Sequence, residues 1–385
     1  MRIAVSTGVV LLISLLLFEA ALRLIGFSYY WALSRSPDPI LAYRPMANIH
    51  ALQSQEGHAL IETDRNGWRA LSPSPSVSPD AIRLLILGDS MTEAVQVPVE
   101  QTYWARLPPL VSERCPEAPP IHAEILASSG YGPGQYLAAA ENGFLGRQPD
   151  WVIYTHFPGN DVVEASPSLS ADLMRPFPQL DATGLSLDNS FRELEEYQWK
   201  QGLGGQLWLM GLANLRSLQA VVAVYHALFV VGREPSGIEF MLEPQVDGRA
   251  FVPPRDEHWA KAWEALLASI KRIHELTQRA QARFTLVSLS TGLQVTANTE
   301  LRQRQMTRAG MPHLFFQENT LRGFSDVNGI DYLALAPPMQ AAAQSSGKEF
   351  HGFENAIPGL GHWNQDGHAM ATQLLADHLC QAMAH

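Results

Sequence analysis

Cysteine is nearly absent: the 385 residues hold two, Cys115 and Cys380, far apart in the chain. That excludes a disulfide-stapled small scaffold and a cysteine-built metal centre. It leaves one long-range disulfide, open to a chain outside the cytosol, or two buried free thiols. Lysine and arginine are outnumbered, 27 against 38 acidic residues, for a formal net charge of -11 and a pI near 5.6. No basic block occurs anywhere, so nucleic acid is excluded as a partner. The 13 histidines are scattered without the paired spacing of zinc ligands. No glycine-rich triad with a phosphate lysine follows an apolar run, which sets nucleotide binding aside. The reading therefore calls for no metal and no cofactor. No internal repeat is visible.

Long apolar runs are few, and the first stands at the start. Ile3 to Phe18 is almost wholly apolar, closed by Glu19. It falls just short of the roughly 17–25 residues of a full span, and continuing through Ala20 to Gly26 supplies the length at the cost of Glu19 and Arg23. Nothing near residues 18–30 reads as a small-x-small cleavage site, so we read residues 1–28 as an uncleaved membrane anchor with the remainder exported. A second run, Leu218 to Gly232, holds His226 and is too short to span; it reads as a buried or lid-like helix.

With 46% hydrophobic residues the chain has ample material for a core. Residues 29–80 read as an irregular linker or extension rich in proline and serine, with Ser72 to Pro79 its loosest part. From residue 81 apolar runs alternate with helical periodicity. Ile82–Leu87, Ala123–Ala127, Trp151–Phe157, Phe284–Leu289 and Ile330–Leu335 read as strands. Gln101–Val111, Gln135–Leu145, Glu257–Gln281 and a last segment from Asn364 read as helices. Unbroken apolar strands joined by helices predict an α/β fold with a parallel sheet. The rhythm breaks between about 162 and 254, which we read as a mainly helical insertion over the sheet edge.

Each of the first three strands ends in a loop suited to chemistry. Leu87-Gly88-Asp89-Ser90 puts a hydroxyl at a strand's carboxyl end and a helix N-terminus, where open α/β sheets hold ligands. Ser90 there is either a helix cap or a nucleophile. The second loop offers Gly130, whose N–H can approach a substrate oxygen closely; the third offers the Asn160 amide, preceded by Gly159. Acyl transfer by serine needs a base, oxyanion donors and usually an orienting acid. The base should be a histidine at the same edge. His362, in the loop before the last helix, meets this; His368 falls inside that helix, for which Asn364 is a natural N-cap.

Taken together, Gly88-Asp89-Ser90, the loop closing on Gly130, Gly159-Asn160-Asp161 and His362-Trp363-Asn364 with Gly367-His368 resemble the SGNH (GDSL-type) hydrolases of the bacterial envelope kind, in the family's order and over about residues 80–382. The resemblance implies a flavodoxin-like three-layer α/β/α sandwich with a five-stranded parallel sheet. It implies Ser90 as nucleophile, Ser90, Gly130 and Asn160 as oxyanion donors, His362 as base, and Asp89 as mainly structural. It further implies a serine esterase or O-acyltransferase acting on ester groups, O-acetyl foremost, of an envelope glycan or lipid, held at the periplasmic or extracellular face by the N-terminal helix.

One departure stands out. The family carries its acid three residues before the histidine, and here that position is Gly359. Either Glu354 or another acid reaches in, or a backbone carbonyl orients the imidazole, or the site is catalytically silent and holds an acylated glycan or an assembly partner.

Overall fold

The computed structural model describes residues 2–72, 77–230, 241–243 and 246–384. Residues 73–76, within the stretch read as the loosest linker, and Val231 and Gly232, the end of the second apolar run, lie outside them. Five strands, β1 (Ile82–Gly88), β2 (Ile121–Ala127), β3 (Trp151–His156), β4 (Arg283–Ser288) and β5 (Asp331–Ala334), form one parallel sheet in the order β2-β1-β3-β4-β5. This is the flavodoxin-like doubly wound order, with its topological switch point between β1 and β3.

The strands are continuously apolar because both faces are covered. Leu84 and Ile86 of β1 face one layer with Trp151 and Ile153 of β3; there helices Tyr103–Arg114 and Gln365–Met383 close the core. Leu85 and Leu87 face the other with Val152 and Tyr154, against Pro133–Glu141 and Glu257–Arg279. Capping fixes the helix starts: Asp256 Oδ1 accepts from Trp259 N at 3.0 Å, and Asn364 Oδ1 accepts from Asp366 N and Gly367 N, both at 3.0 Å. Each such cap contributes about 1 kcal/mol. Cys115, just past the first of these helices, is disulfide-bonded to Cys380 on the last, with Cα atoms 5.9 Å apart; of the two readings of the cysteines, the pair stands.

Three sequence expectations need correction. The extension is not irregular. It folds into two hairpins, Ser36–Asp38 with Ala42–Arg44 and His50–Gln53 with Ala59–Glu62, and buries Tyr30, Leu33, Ala51 and Ile61 in a small core shared with Val95 and Leu212. Hairpin strands this short show too little alternation to be read. The insertion is mainly helical but opens with a β-hairpin, Phe177–Asp181 with Gly184–Asp188. Its second apolar run is not buried: Val221, Val224 and Leu228 are more than half exposed, because the helix is apolar on both faces and only one meets the protein. The N-terminal helix, Arg2–Leu24, is long and apolar enough over Thr7–Leu24 to cross a membrane, as a signal sequence also would be.

Candidate active site

Strand β1 delivers Ser90 to the sheet's carboxyl edge. Gly88 is needed there for space: a Cβ would overlap the hydroxyls of Thr92 and Thr155, which pack across the strand end. The turn itself is made by Asp89, whose Oδ1 accepts from Met91 N at 2.9 Å as N-cap of the short helix Ser90–Glu93.

His362 reaches the same edge from the loop before the last helix. Its Nε2 lies 2.9 Å from Ser90 Oγ, and its Nδ1 lies 2.6 Å from a carboxylate oxygen of Glu56. A carboxylate only accepts, so Nδ1 carries the proton and Nε2 is left to take one from the serine. The other Glu56 oxygen accepts from His362 N at 2.8 Å, so one carboxylate fixes both ring and backbone of the histidine. His368 has another place: it is buried in the helix, stacked on Tyr103.

The carboxylate at the imidazole is therefore Glu56 and not Glu354. Glu354 is exposed, and its neighbour Asn355 braces the hairpin turn, accepting from Gly57 N at 2.9 Å and donating to Gly57 O at 2.8 Å. Glu56 sits in the tight turn of the second hairpin of the extension. Its approach needs Gly361, which has φ +90° and whose missing Cβ would overlap Glu56 Oε1. Glu243, from the far end of the insertion, accepts from Gly361 N at 3.2 Å and holds the loop from the other side. His351 Nδ1 donates to Gly361 O at 2.6 Å beneath the loop, and its Nε2 lies 2.9 Å from Ser290 Oγ.

The two remaining loops are tied to the serine turn by buried carboxylates. Asn160 Nδ2 donates to Asp89 Oδ2 at 3.2 Å, which leaves its second amide hydrogen for a substrate oxygen. Glu93, at the end of the Ser90 helix, accepts from Ser129 N at 2.7 Å and Ser129 Oγ at 2.6 Å, and from Tyr30 Oη. Ser129 precedes Gly130, so this carboxylate sets the loop that carries the glycine and also anchors the extension. Gly159 makes room for the Phe157 ring, which a Cβ there would strike.

Burial and charge then set the protonation states. Burial alone would push His362 down, but the hydrogen bond and charge of Glu56, helped by Asp89 and Glu243, carry it above its ordinary 6.5. Burial would raise Glu56, yet the bonds from His362 hold it below the usual carboxylate range. Asp89 is pushed up to about 7 by burial and by Asp161 nearby, and Glu243 to about 7 by burial. His351 is pushed down to about 4 by burial, which keeps it neutral and structural. Among the described residues, no group of three or more His, Cys, Asp and Glu side chains is placed to hold a metal ion.

Ser90, Asn160, His362 and the loop of Gly130 thus share one end of the sheet, on a flavodoxin-like doubly wound scaffold. The chain has a flavodoxin-like α/β architecture. No protein-family model and no curated protein matches its sequence. Among solved structures, this chain is similar to LAE5, an alpha/beta hydrolase from the metagenome of Lake Arreo, Spain, at 14% identity over 78% of this chain and 94% of that one, with a TM-score of 0.37. It is similar to a catalytic mutant of Axe2, an acetylxylan esterase from Geobacillus stearothermophilus, at 10% identity over 77% and 93% of the two chains, with a TM-score of 0.37. A member of the lipolytic G-D-S-L family from Veillonella parvula matches at 9% identity over 77% and 97%, with a TM-score of 0.35.

Sequence reasoning missed Glu56 and Glu93. No local pattern marks either one; the Glu56–His362 contact spans 306 positions of chain. The one available signal for Glu56 was Gly57 after it, a turn residue in a stretch read as linker.

Proposed function

We propose that this chain is a membrane-anchored serine esterase or acyltransferase working on O-acyl groups, acetyl foremost, of an envelope glycan or lipid. The observation that carries the reading is the unbroken relay Ser90 Oγ, His362 and Glu56, with contacts of 2.9 and 2.6 Å. Ser90 Oγ attacks the ester carbonyl while His362 Nε2 takes its proton, and Glu56 stabilises the imidazolium that forms. The oxyanion is met by the N–H groups of Ser90 and Gly130 and the Asn160 amide. Collapse expels the alcohol, protonated by His362, and leaves the acyl group on Ser90. Water then releases the acid, or a sugar hydroxyl takes the acyl group; both use the same residues.

Two further features support the placement. The Cys115–Cys380 disulfide suits an oxidising compartment, and Arg2–Leu24 suits an anchor. The reading as a silent binding module loses its main ground, since it drew on the glycine at position 359, and Glu56 supplies the carboxylate missing there. The test is a panel of fluorogenic acyl esters and a fluorophosphonate probe applied to the full chain in detergent. Wild type should hydrolyse acetyl ester and take the probe, and Ser90→Ala should do neither. Equal behaviour of the two proteins would refute the esterase.

A further inference from the structure

The insertion carries two helices, Leu203–Asn214 and Arg216–Tyr225, the second continuing through His226–Val230 and set at 102° to the first. Their outward side is apolar. Leu207, Met210, Val221, Val224, Tyr225 and Leu228 are each between 56% and 68% exposed. Positions 221, 224, 225 and 228 form one stripe of a helix. The inward side is apolar as well: Leu212, Leu218 and Val222 share a core with Tyr30 and Leu33 of the extension and with Val95, just past the Ser90 helix. A helix facing water is polar on one side; this one has no polar side. Between residues 203 and 229 only Arg216 and His226 can carry charge. Both are engaged, Arg216 Nη1 donating to Gln219 Oε1 at 3.0 Å and His226 Nδ1 lying 3.0 Å from Tyr29 Oη.

The N-terminal helix identifies what covers this face. Its Glu19 carboxylate accepts from Arg216 N at 3.0 Å and Ser217 N at 2.8 Å, capping the second helix. Its Arg23 donates to Asn214 O, the last residue of the first helix. The bent pair therefore grows from the final turn of the anchor, where Leu24 and Ile25 stand 87% and 75% exposed. Trp208 and Tyr225 are of the type that sits at headgroup level, and the helices satisfy their backbone internally, as lipid requires.

We infer that residues 203–229 form a second membrane seat, a bent helical pair lying in the bilayer surface beside the anchor and fixing the body's height and tilt on the lipid. Tyr29 connects this seat to the catalytic hairpin, since Gln55 Nε2 donates to Tyr29 Oη at 3.0 Å and Gln55 precedes Glu56. The inference rests on the N-terminal helix being retained as an anchor, and the test separates the two.

The full chain, its native disulfide intact, is reconstituted into vesicles of phosphatidylcholine and phosphatidylglycerol. Nitroxide is attached to variants each carrying one added cysteine, Leu207→Cys, Met210→Cys, Leu228→Cys, Leu16→Cys in the anchor and Gln303→Cys on the body. Labels at 207, 210 and 228 should relax with oxygen more than with a water-soluble nickel chelate, as the label at 16 does, and the label at 303 should show the reverse. Nickel access at all three insertion positions, with the label at 16 still in lipid, overturns the seat and leaves the anchor standing. Nickel access at 16 as well overturns both. Labels at 207, 210 and 228 shielded from both reagents would mean that protein, a second copy or another segment, covers the face, and would equally overturn the inference.

Discussion

Replacing Glu56 with glutamine removes a charge from behind the imidazole while keeping the shape of the turn. When Ser90 gives up its proton, His362 becomes an imidazolium facing the Glu56 carboxylate across 2.6 Å. Two unit charges about 4 Å apart between their centres attract by about 4 kcal/mol at an effective dielectric of about 20. Solvent reaches both side chains, at 24% and 21% exposure, so a loss of about 3 kcal/mol is the reasonable figure, or roughly a hundredfold in kcat. The pH profile should move too. His362 acts as a base only when neutral, and Glu56 lifts its pKa above 6.5, so wild-type kcat/KM should rise with pH through a midpoint above 6.5. Without the carboxylate, burial dominates and the midpoint should fall below 6.5. The assay is kcat/KM for an acetyl ester from pH 5 to 9 on wild type, Glu56→Gln and Glu354→Gln. A Glu56→Gln protein with wild-type rate and profile, or a Glu354→Gln protein with the larger defect, would refute the assignment.

Other changes test the neighbouring supports. Gly130→Ala adds a Cβ at φ +81°, 2.8 Å from Tyr43 Oη and 3.0 Å from Arg35 Nη2; kcat should fall on the order of tenfold or more with far-UV circular dichroism unchanged. Glu93→Gln turns a carboxylate that accepts from Ser129 and Tyr30 into an amide that must face donors, so urea unfolding should show a loss of about 1–3 kcal/mol, accompanied by a lower kcat as the Gly130 loop loosens. Cys115→Ser opens a link between positions 265 apart; the midpoint of urea unfolding should drop by the equivalent of about 2–5 kcal/mol, and a reductant should lower wild type to the same level while leaving the variant unmoved.

What could be read from sequence was what local physics encodes. The strands of the sheet announced themselves because residues such as Leu84 to Leu87 are covered on both sides, and Asn364 announced the last helix because a cap is a local bond. Ser90, Asn160 and His362 were legible because they stand at the ends of such elements. The hairpins at 36–62 were not, since strands of three or four residues carry too little periodicity. Nor was Glu56, whose role exists only through a partner far along the chain. The insertion helices were misjudged for a different reason: Val221 and Val222 look alike in a hydropathy profile, though one faces outward and the other packs on the extension.

Because the carboxylate behind the imidazole comes from the segment between the N-terminal helix and the sheet, the proposed catalytic unit is not contained within the sandwich. Trimming the gene at Ile82, where the family's recognisable blocks begin, would keep the hydroxyl and the imidazole but discard the group that steers the ring. Recombinant work on this protein should therefore begin upstream of Tyr29, and an inert product from the shorter clone would report on where the scissors fell rather than on the enzyme.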